Sequence, residues 1–300
     1  MSEVLTRALR EHAALSIVGM CKNAGKTTVL NRLIALSRED SHALALTSVG
    51  RDGEDTDVVT GTEKPGIWVH AGTLVATAAD MLRLCDITRE ILYTTGMYTP
   101  LGEVVVVRAL SDGFVQLAGP SMNDQLAALG RLLRALGAKR LLIDGALSRK
   151  TLCAPSVCDA AILCTGASCH PDLDTVVADT AHACRLLSLP QAQGENLRRH
   201  EIPGAVTDAL LKKLDPKAGD EITVPDGSHM LLSRALFERL LARGVTFSAH
   251  RTVHLCCVCV NPYSARGVDF DPLALRTRMA EAVSVPVLNV KEEVLHENQL

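Results

Sequence analysis

The chain has 300 residues, 47% of them apolar and only 3% aromatic, with a formal net charge of -3. That length allows one large domain or two smaller ones, with a core drawn mostly from Leu, Val, Ile and Ala. The charge gives no electrostatic footprint for nucleic acid, and no apolar run has the length of a membrane span.

The charged amino-terminal stretch reads as a short helix rather than a signal peptide. A strand over about 15–19 then meets Gly19-Met-Cys-Lys-Asn-Ala-Gly-Lys-Thr-Thr28, and helical spacing resumes over about 26–37. Strand, glycine-rich loop and helix together spell a phosphate-binding loop. Its glycines let main-chain N–H groups turn inward around phosphates, at a helix N-terminus whose dipole favours an anion. Lys26 is expected to reach the β and γ phosphates and Thr27 to sit on Mg²⁺. Gly19, Lys22, Asn23, Ala24, Gly25 and Thr28 complete the cradle. Five residues separate Gly19 from Gly25, one more than the standard spacing. The longer loop is similar to that of dethiobiotin synthetase.

A second buried strand, about 43–49, runs into Gly50-Arg-Asp-Gly-Glu-Asp-Thr-Asp57. Asp52, Glu54, Asp55 and Asp57 there are candidates for Mg²⁺ and for the attacking water. Further along, 66–70 reads as a short strand and 73–84 as a helix. Residues 101–107 and 114–118 read as strands joined by a hairpin at Ser111-Asp-Gly113. A helix follows over about 122–136, capped by Ser121. The apolar strand Arg140-Leu-Leu-Ile-Asp-Gly145 would deliver Asp144, a Walker-B-like carboxylate, to the edge that holds the loop. Arg149 and Lys150 beyond it are candidate γ-phosphate contacts, and so is Lys22, although its spacing to Lys26 is one residue shorter than in signature-lysine loops. Another strand over 159–164 and a helix over 172–187 continue the alternation. This alternation predicts an α/β fold of the P-loop NTPase class, a mostly parallel sheet with helices on both faces.

The polar stretch 191–200 suggests a boundary, with a nucleotide-binding domain over 1–192. A smaller carboxyl-terminal α/β region, 193–300, would be either separate or continuous with the main sheet. Its expected elements are helices near 205–214, 229–243 and 272–282, and strands near 221–224, 245–249, 253–260 and 286–290.

The ten cysteines are mostly scattered along the chain and read as small buried hydrophobes in a reducing cytoplasm. In the run 256–259, alternation puts Cys257 and Cys259 on one strand face and Cys256 on the other. That arrangement argues against a shared metal or cobalt-cofactor role. Cys21, inside the loop, would make nucleotide binding sensitive to oxidation. A guanine site would show Asn-Lys-x-Asp after a late strand. Leu163-Cys-Thr-Gly-Ala-Ser168 holds that place without a carboxylate, which favours ATP.

Four strings carry a resemblance: Ser16 to Thr28, Leu46-Thr-Ser-Val-Gly-Arg-Asp-Gly-Glu54, Leu142-Ile-Asp-Gly-Ala146 and Val260-Asn-Pro-Tyr-Ser264. They resemble the ATPase subunits of lysine 5,6-aminomutase reactivases. The resemblance implies an ATPase in which Lys26, Asp144, Asp52 and Glu54 are catalytic and Thr27, Asp52, Glu54 and Asp144 stand around Mg²⁺. It implies as partners the aminomutase, which loses activity when damaged cobalamin stays bound, and a second reactivase subunit. Cobalamin itself would belong to the mutase, since the chain lacks an Asp-x-His-x-x-Gly pattern. Homodimerisation around nucleotide is a further expectation. Three other readings stay open. One is a ligase similar to dethiobiotin synthetase, although Ser48-Val-Gly-Arg51 replaces that enzyme's lysine-proline segment. Another is a GTP-dependent metallochaperone, and the third a regulatory subunit with negligible turnover.

Overall fold

The computed structural model describes residues 2–39, 44–50, 66–146, 153–194, 196–265 and 267–291. Helix α1 (Ser2–Glu11) leads into strand β1 (Ala14–Gly19), helix α2 (Lys26–Glu39) and strand β2 (Leu44–Ser48). Strands β3 (Ile67–Val69) and β4 (Leu74–Ala78) follow, then the one-turn helix α3 (Ala79–Leu82). Next come β5 (Arg89–Thr99), β6 (Gly102–Ala109) and β7 (Gly113–Val115). Helix α4 (Asn123–Ala135), β8 (Arg140–Ala146), β9 (Ala160–Gly166) and helix α5 (Leu173–Leu187) come after them. A smaller group holds β10 (Arg199–Glu201), β11 (Val206–Thr207), α6 (Asp208–Leu214) and β12 (Glu221–Asp226). It continues with β13 (Met230–Leu231), α7 (Arg234–Ala242) and β14 (Thr246–Arg251). Strand β15 (Leu255–Asn261), helix α8 (Pro272–Ala282) and β16 (Val287–Asn289) end the described chain.

Nine strands form one sheet in the order β16-β15-β9-β1-β8-β2-β4-β6-β5. From β16 to β4 every neighbouring pair is parallel, and β6 and β5 close the far side antiparallel. The protein is thus a mixed α/β molecule around a large, mostly parallel sheet. The parallel strands are buried on both faces, as crossover helices require. Alternate residues go to opposite layers. Val18, Leu141, Ile143 and Leu163 pack with Leu129 of α4, Val176 of α5 and Leu275 of α8. Leu15, Ile17, Leu142 and Ile162 pack with Leu5 and Leu9 of α1 and Leu30 and Leu33 of α2. Among the described residues, no helix is long and apolar enough to cross a membrane.

Strands β10, β12 and β14 make a separate three-stranded parallel sheet around Ile222, Val224, Phe237 and Phe247. The chain then returns, and β15 and β16 extend the nine-stranded sheet beyond β9.

Four local expectations are corrected. Residues 74–78 are a strand, with only Ala79–Leu82 helical. A short apolar run has no decisive period, and this one fills the slot between β2 and β6. Ser111-Asp-Gly113 is no hairpin, because β6 pairs with β4 and β5 while β7 pairs with β3. The real hairpin turns at Pro100-Leu101, where Gly102 takes φ 96° and the Thr99 hydroxyl donates to the Gly102 carbonyl at 3.0 Å. Ser121 does not cap α4, whose N-cap is Met122 without a side-chain cap. Cys256 does not face away from Cys257 and Cys259. A bulge between Leu255 and Cys257 interrupts alternation, and all three cysteines pack on the α1–α2 side.

Candidate functional site

The segment Gly19–Thr28 lies at the carboxyl end of β1, in the middle of the parallel sheet. Main-chain and side-chain bonds fix it from the flanking strands. Met20 N–H donates to the Cys164 carbonyl of β9 at 2.9 Å, and Val29 N–H to the Gly25 carbonyl at 3.1 Å. Asn261, the last residue of β15, donates its Nδ2 to the Asn23 carbonyl at 2.9 Å. Asn23 (φ 61°) and Gly25 (φ 93°) both take the left-handed region, which turns the chain back into α2. A Cβ on Gly25 would lie 3.1 Å from Val290 Cγ2 and 3.4 Å from Asn261 Cβ, so the turn is seated against the ends of β15 and β16. Ala24 is buried beneath it, while Lys22 and Asn23 are exposed and Lys26, Thr27 and Thr28 are half-buried.

Lys26 folds back across the start of the loop. A Cβ on Gly19 would lie 2.8 Å from Lys26 Cδ and Cγ and 2.9 Å from Nζ. The lack of a side chain at Gly19 is therefore what admits the lysine stem. An ammonium held over a loop of left-handed turns at a helix N-terminus is a cradle suited to an oxyanion.

Asp144 lies near the same edge, two residues before the end of β8. Strand β8 neighbours β1 with Ile17 opposite Asp144, and β2 on its other side places Ser48 opposite Asp144. Val49 N–H donates to the Asp144 carbonyl at 2.9 Å, and the residue is half-buried. Strand β2 exits here too, held by Gly119, whose N–H donates to Ser48 Oγ at 3.1 Å and whose carbonyl accepts from Gly50 N–H at 3.1 Å. Chain leaving Gly50 therefore starts beside Asp144. Asp52, Glu54, Asp55 and Asp57 lie outside the described residues, as do Arg149 and Lys150.

Two thiols flank the cradle. The Cys21 thiol hydrogen-bonds Cys169, which follows β9, and this bond chiefly lowers the Cys169 pKa to about 7. The Thr165 hydroxyl, 3.7 Å from Cys169 Sγ, and the Lys26 ammonium act in the same direction. Cys21 is pushed up correspondingly, by its bond to Cys169 first and by burial second. The two share one dissociable proton near neutrality.

On the β15–β16 side, Tyr263 N–H donates to Asn261 Oδ1 at 3.3 Å, and the Lys291 ammonium lies 4.7 Å from the Tyr263 ring centroid. Leu163–Gly166 is the buried end of β9, and Gly166 is pressed against the Asn261 backbone. In the sequence Asn261 stands out only as part of a short string, and Cys169 only as one of the scattered cysteines. Both reach the loop from distant strands, and no local signal marks them.

In comparisons with known proteins, no family model matches the chain, and neither a curated protein nor a solved structure matches it.

Proposed function

We propose that the chain is a Mg²⁺-dependent nucleoside triphosphate hydrolase acting on ATP. The observation that carries this reading is Lys26 folded over Gly19, with Asp144 on the neighbouring strand near the same sheet edge. In this reading the loop N–H groups and Lys26 would bind the phosphates, and Thr27 and Asp144 would hold Mg²⁺, which when bound supplies charge neutralisation. Asp52 and Glu54, on the segment that begins beside Asp144, would orient the attacking water. The client follows from the resemblance alone: an adenosylcobalamin-dependent lysine 5,6-aminomutase, opened together with a second reactivase subunit so that damaged cobalamin is exchanged.

The test is phosphate release from the pure chain with ATP or GTP and Mg²⁺, alone and with cobalamin-inactivated mutase. ATP turnover that rises with the mutase and restores its activity supports the whole reading. Turnover indifferent to the mutase removes the client and keeps the hydrolase. Asp144→Asn is expected to retain nucleotide binding and lose Mg²⁺-dependent turnover; wild-type turnover in that variant would reduce Asp144 to a strand residue.

A further inference from the structure

The opposite end of the sheet carries a cluster that the nucleotide site does not use. His12 closes α1 just before β1, its N–H donating to the Ala8 carbonyl at 3.1 Å. His254 directly precedes β15, and its carbonyl accepts from Ala161 N–H at 2.8 Å. Cys256 is the second residue of β15. One ligand-capable atom from each of these three lies within 4.8 Å of the other two. The imidazole centroids are 4.7 Å apart and the rings tilted by 40°.

Alternation brings the thiol here, because the side chain after Leu255 lies on the opposite face of the sheet. Leu255 pairs with Ala161 but Cys257 pairs with Ile162, so Cys256 is the extra residue. Val253 and Leu255 pack into the layer of α5 and α8, whereas Cys256, Cys257 and Cys259 turn toward α1 and α2. The bulge acts on the next residue, bringing Cys257 to the face that Cys256 already occupies. The cluster also holds an unmet group: His12 Nε2 is buried and finds no hydrogen-bond partner among the described residues. A buried polar atom left so costs free energy that a ligand would recover.

We propose that His12, His254 and Cys256 form a binding site for a thiophilic divalent ion, Zn²⁺ before others. Two imidazoles and a thiolate suit Zn²⁺, whereas Mg²⁺ and Ca²⁺ require oxygen ligands. Tetrahedral Zn²⁺ with bonds of about 2.0–2.3 Å sets its ligand atoms roughly 3.3–3.7 Å apart. Binding therefore requires the three side chains to close in by about an ångström, around a main chain tied by the His12 N–H to Ala8 and the His254 carbonyl to Ala161. The Cys256 proton passes to solvent as the zinc–sulfur bond forms. Three protein ligands leave a fourth position for water or another ligand. The six residues of β1 put this site roughly 20 Å from the glycine-rich loop, so it stands or falls independently of the ATPase reading.

The experiment titrates the full chain with Co²⁺ as a spectroscopic probe, in a non-thiol reductant, followed by displacement with Zn²⁺. One ion per chain is expected, with tetrahedral d–d bands and a near-ultraviolet thiolate-to-cobalt band. Cys256→Ser is expected to lose the thiolate band. His254→Ala, a change at an exposed side chain that leaves the core intact, is expected to weaken binding ~100-fold or more, beyond the usual effect of an outer-shell partner. A thiolate band that persists in Cys256→Ser, undiminished affinity in His254→Ala, or no Co²⁺ bound by the native chain would each overturn the proposal.

Discussion

The two ends of β1 are built by different means. At the carboxyl end, the cradle is made of consecutive residues whose backbone angles do the work: Asn23 and Gly25 in the left-handed region and Gly19 without a side chain. At the amino end, the cluster is made of side chains from the end of the first helix and the start of the last long strand, brought together by sheet order. A site made of backbone needs particular residues at fixed offsets, so it leaves a contiguous signature. A site made of side chains needs only that distant elements meet, and it leaves scattered residues that look ordinary.

If the ends are independent, changes at one must not register at the other, since well-separated sites add without coupling. The largest effect is expected from Lys26→Ala. Losing charge-assisted bonds to phosphate should weaken ATP binding by ~100-fold or more, about 3 kcal/mol, with Co²⁺ binding at the amino end unchanged. Calorimetric titration of both ligands reads this directly, and unaltered ATP affinity would remove the loop as a phosphate site. In the reverse direction, His254→Ala should leave ATP turnover at its native rate.

Gly19→Ala comes next. The new Cβ would meet the Lys26 stem at 2.8 Å, and a flexible lysine gives way more readily than backbone. Stability should fall by only about 1 kcal/mol, while ATP affinity falls ~10-fold as the ammonium is displaced. A variant that loses stability but keeps affinity would show that Lys26 is not held by that approach.

Asn261→Ala removes one bond to the Asn23 carbonyl. About 1 kcal/mol of stability should be lost, together with a few-fold loss of ATP affinity, measurable by thermal unfolding with and without nucleotide.

The smallest and most local effect concerns Cys169. Thiolate is the reactive form, and a pKa lowered to about 7 means that thiolate accumulates as pH rises through 7. Alkylation of Cys169 by iodoacetamide should therefore rise between pH 6 and 8 and level off above, where an ordinary thiol would still be accelerating. Cys21→Ala removes the hydrogen bond that chiefly lowers this pKa, so the midpoint should move upward. Peptide mapping of the alkylated chain over a pH series decides the matter. An unchanged midpoint in the variant would show that the Cys21–Cys169 bond is not the cause.

Much of the fold was legible in the string of residues. The buried strands now seen at β1, β2, β8, β9 and β15 stood out as apolar runs, because parallel strands covered on both faces are apolar at every position. The runs that misled were those whose faces differ. Strand β5 is partly exposed along its whole length, so it showed no apolar run at all. Strand β4 is short enough to read as the start of a helix.

From sequence alone came the alternation of strands and helices, the glycine-rich loop with Lys26 and Thr27, and the place of Asp144 on an apolar strand, which runs two residues past it to Ala146. These follow from local rules of period, turn geometry and helix termini, which act over a few residues. Only the tertiary structure decided that Asn261 braces the loop, that Cys169 shares a proton with Cys21, and that Cys256 turns to meet His12 and His254. Each depends on the order of strands in the sheet, and the placing of Cys257 on the same face as Cys256 depends on a bulge in one of them. Those are settled by packing across the whole molecule, where a single inserted residue reverses the face on which every later side chain lies.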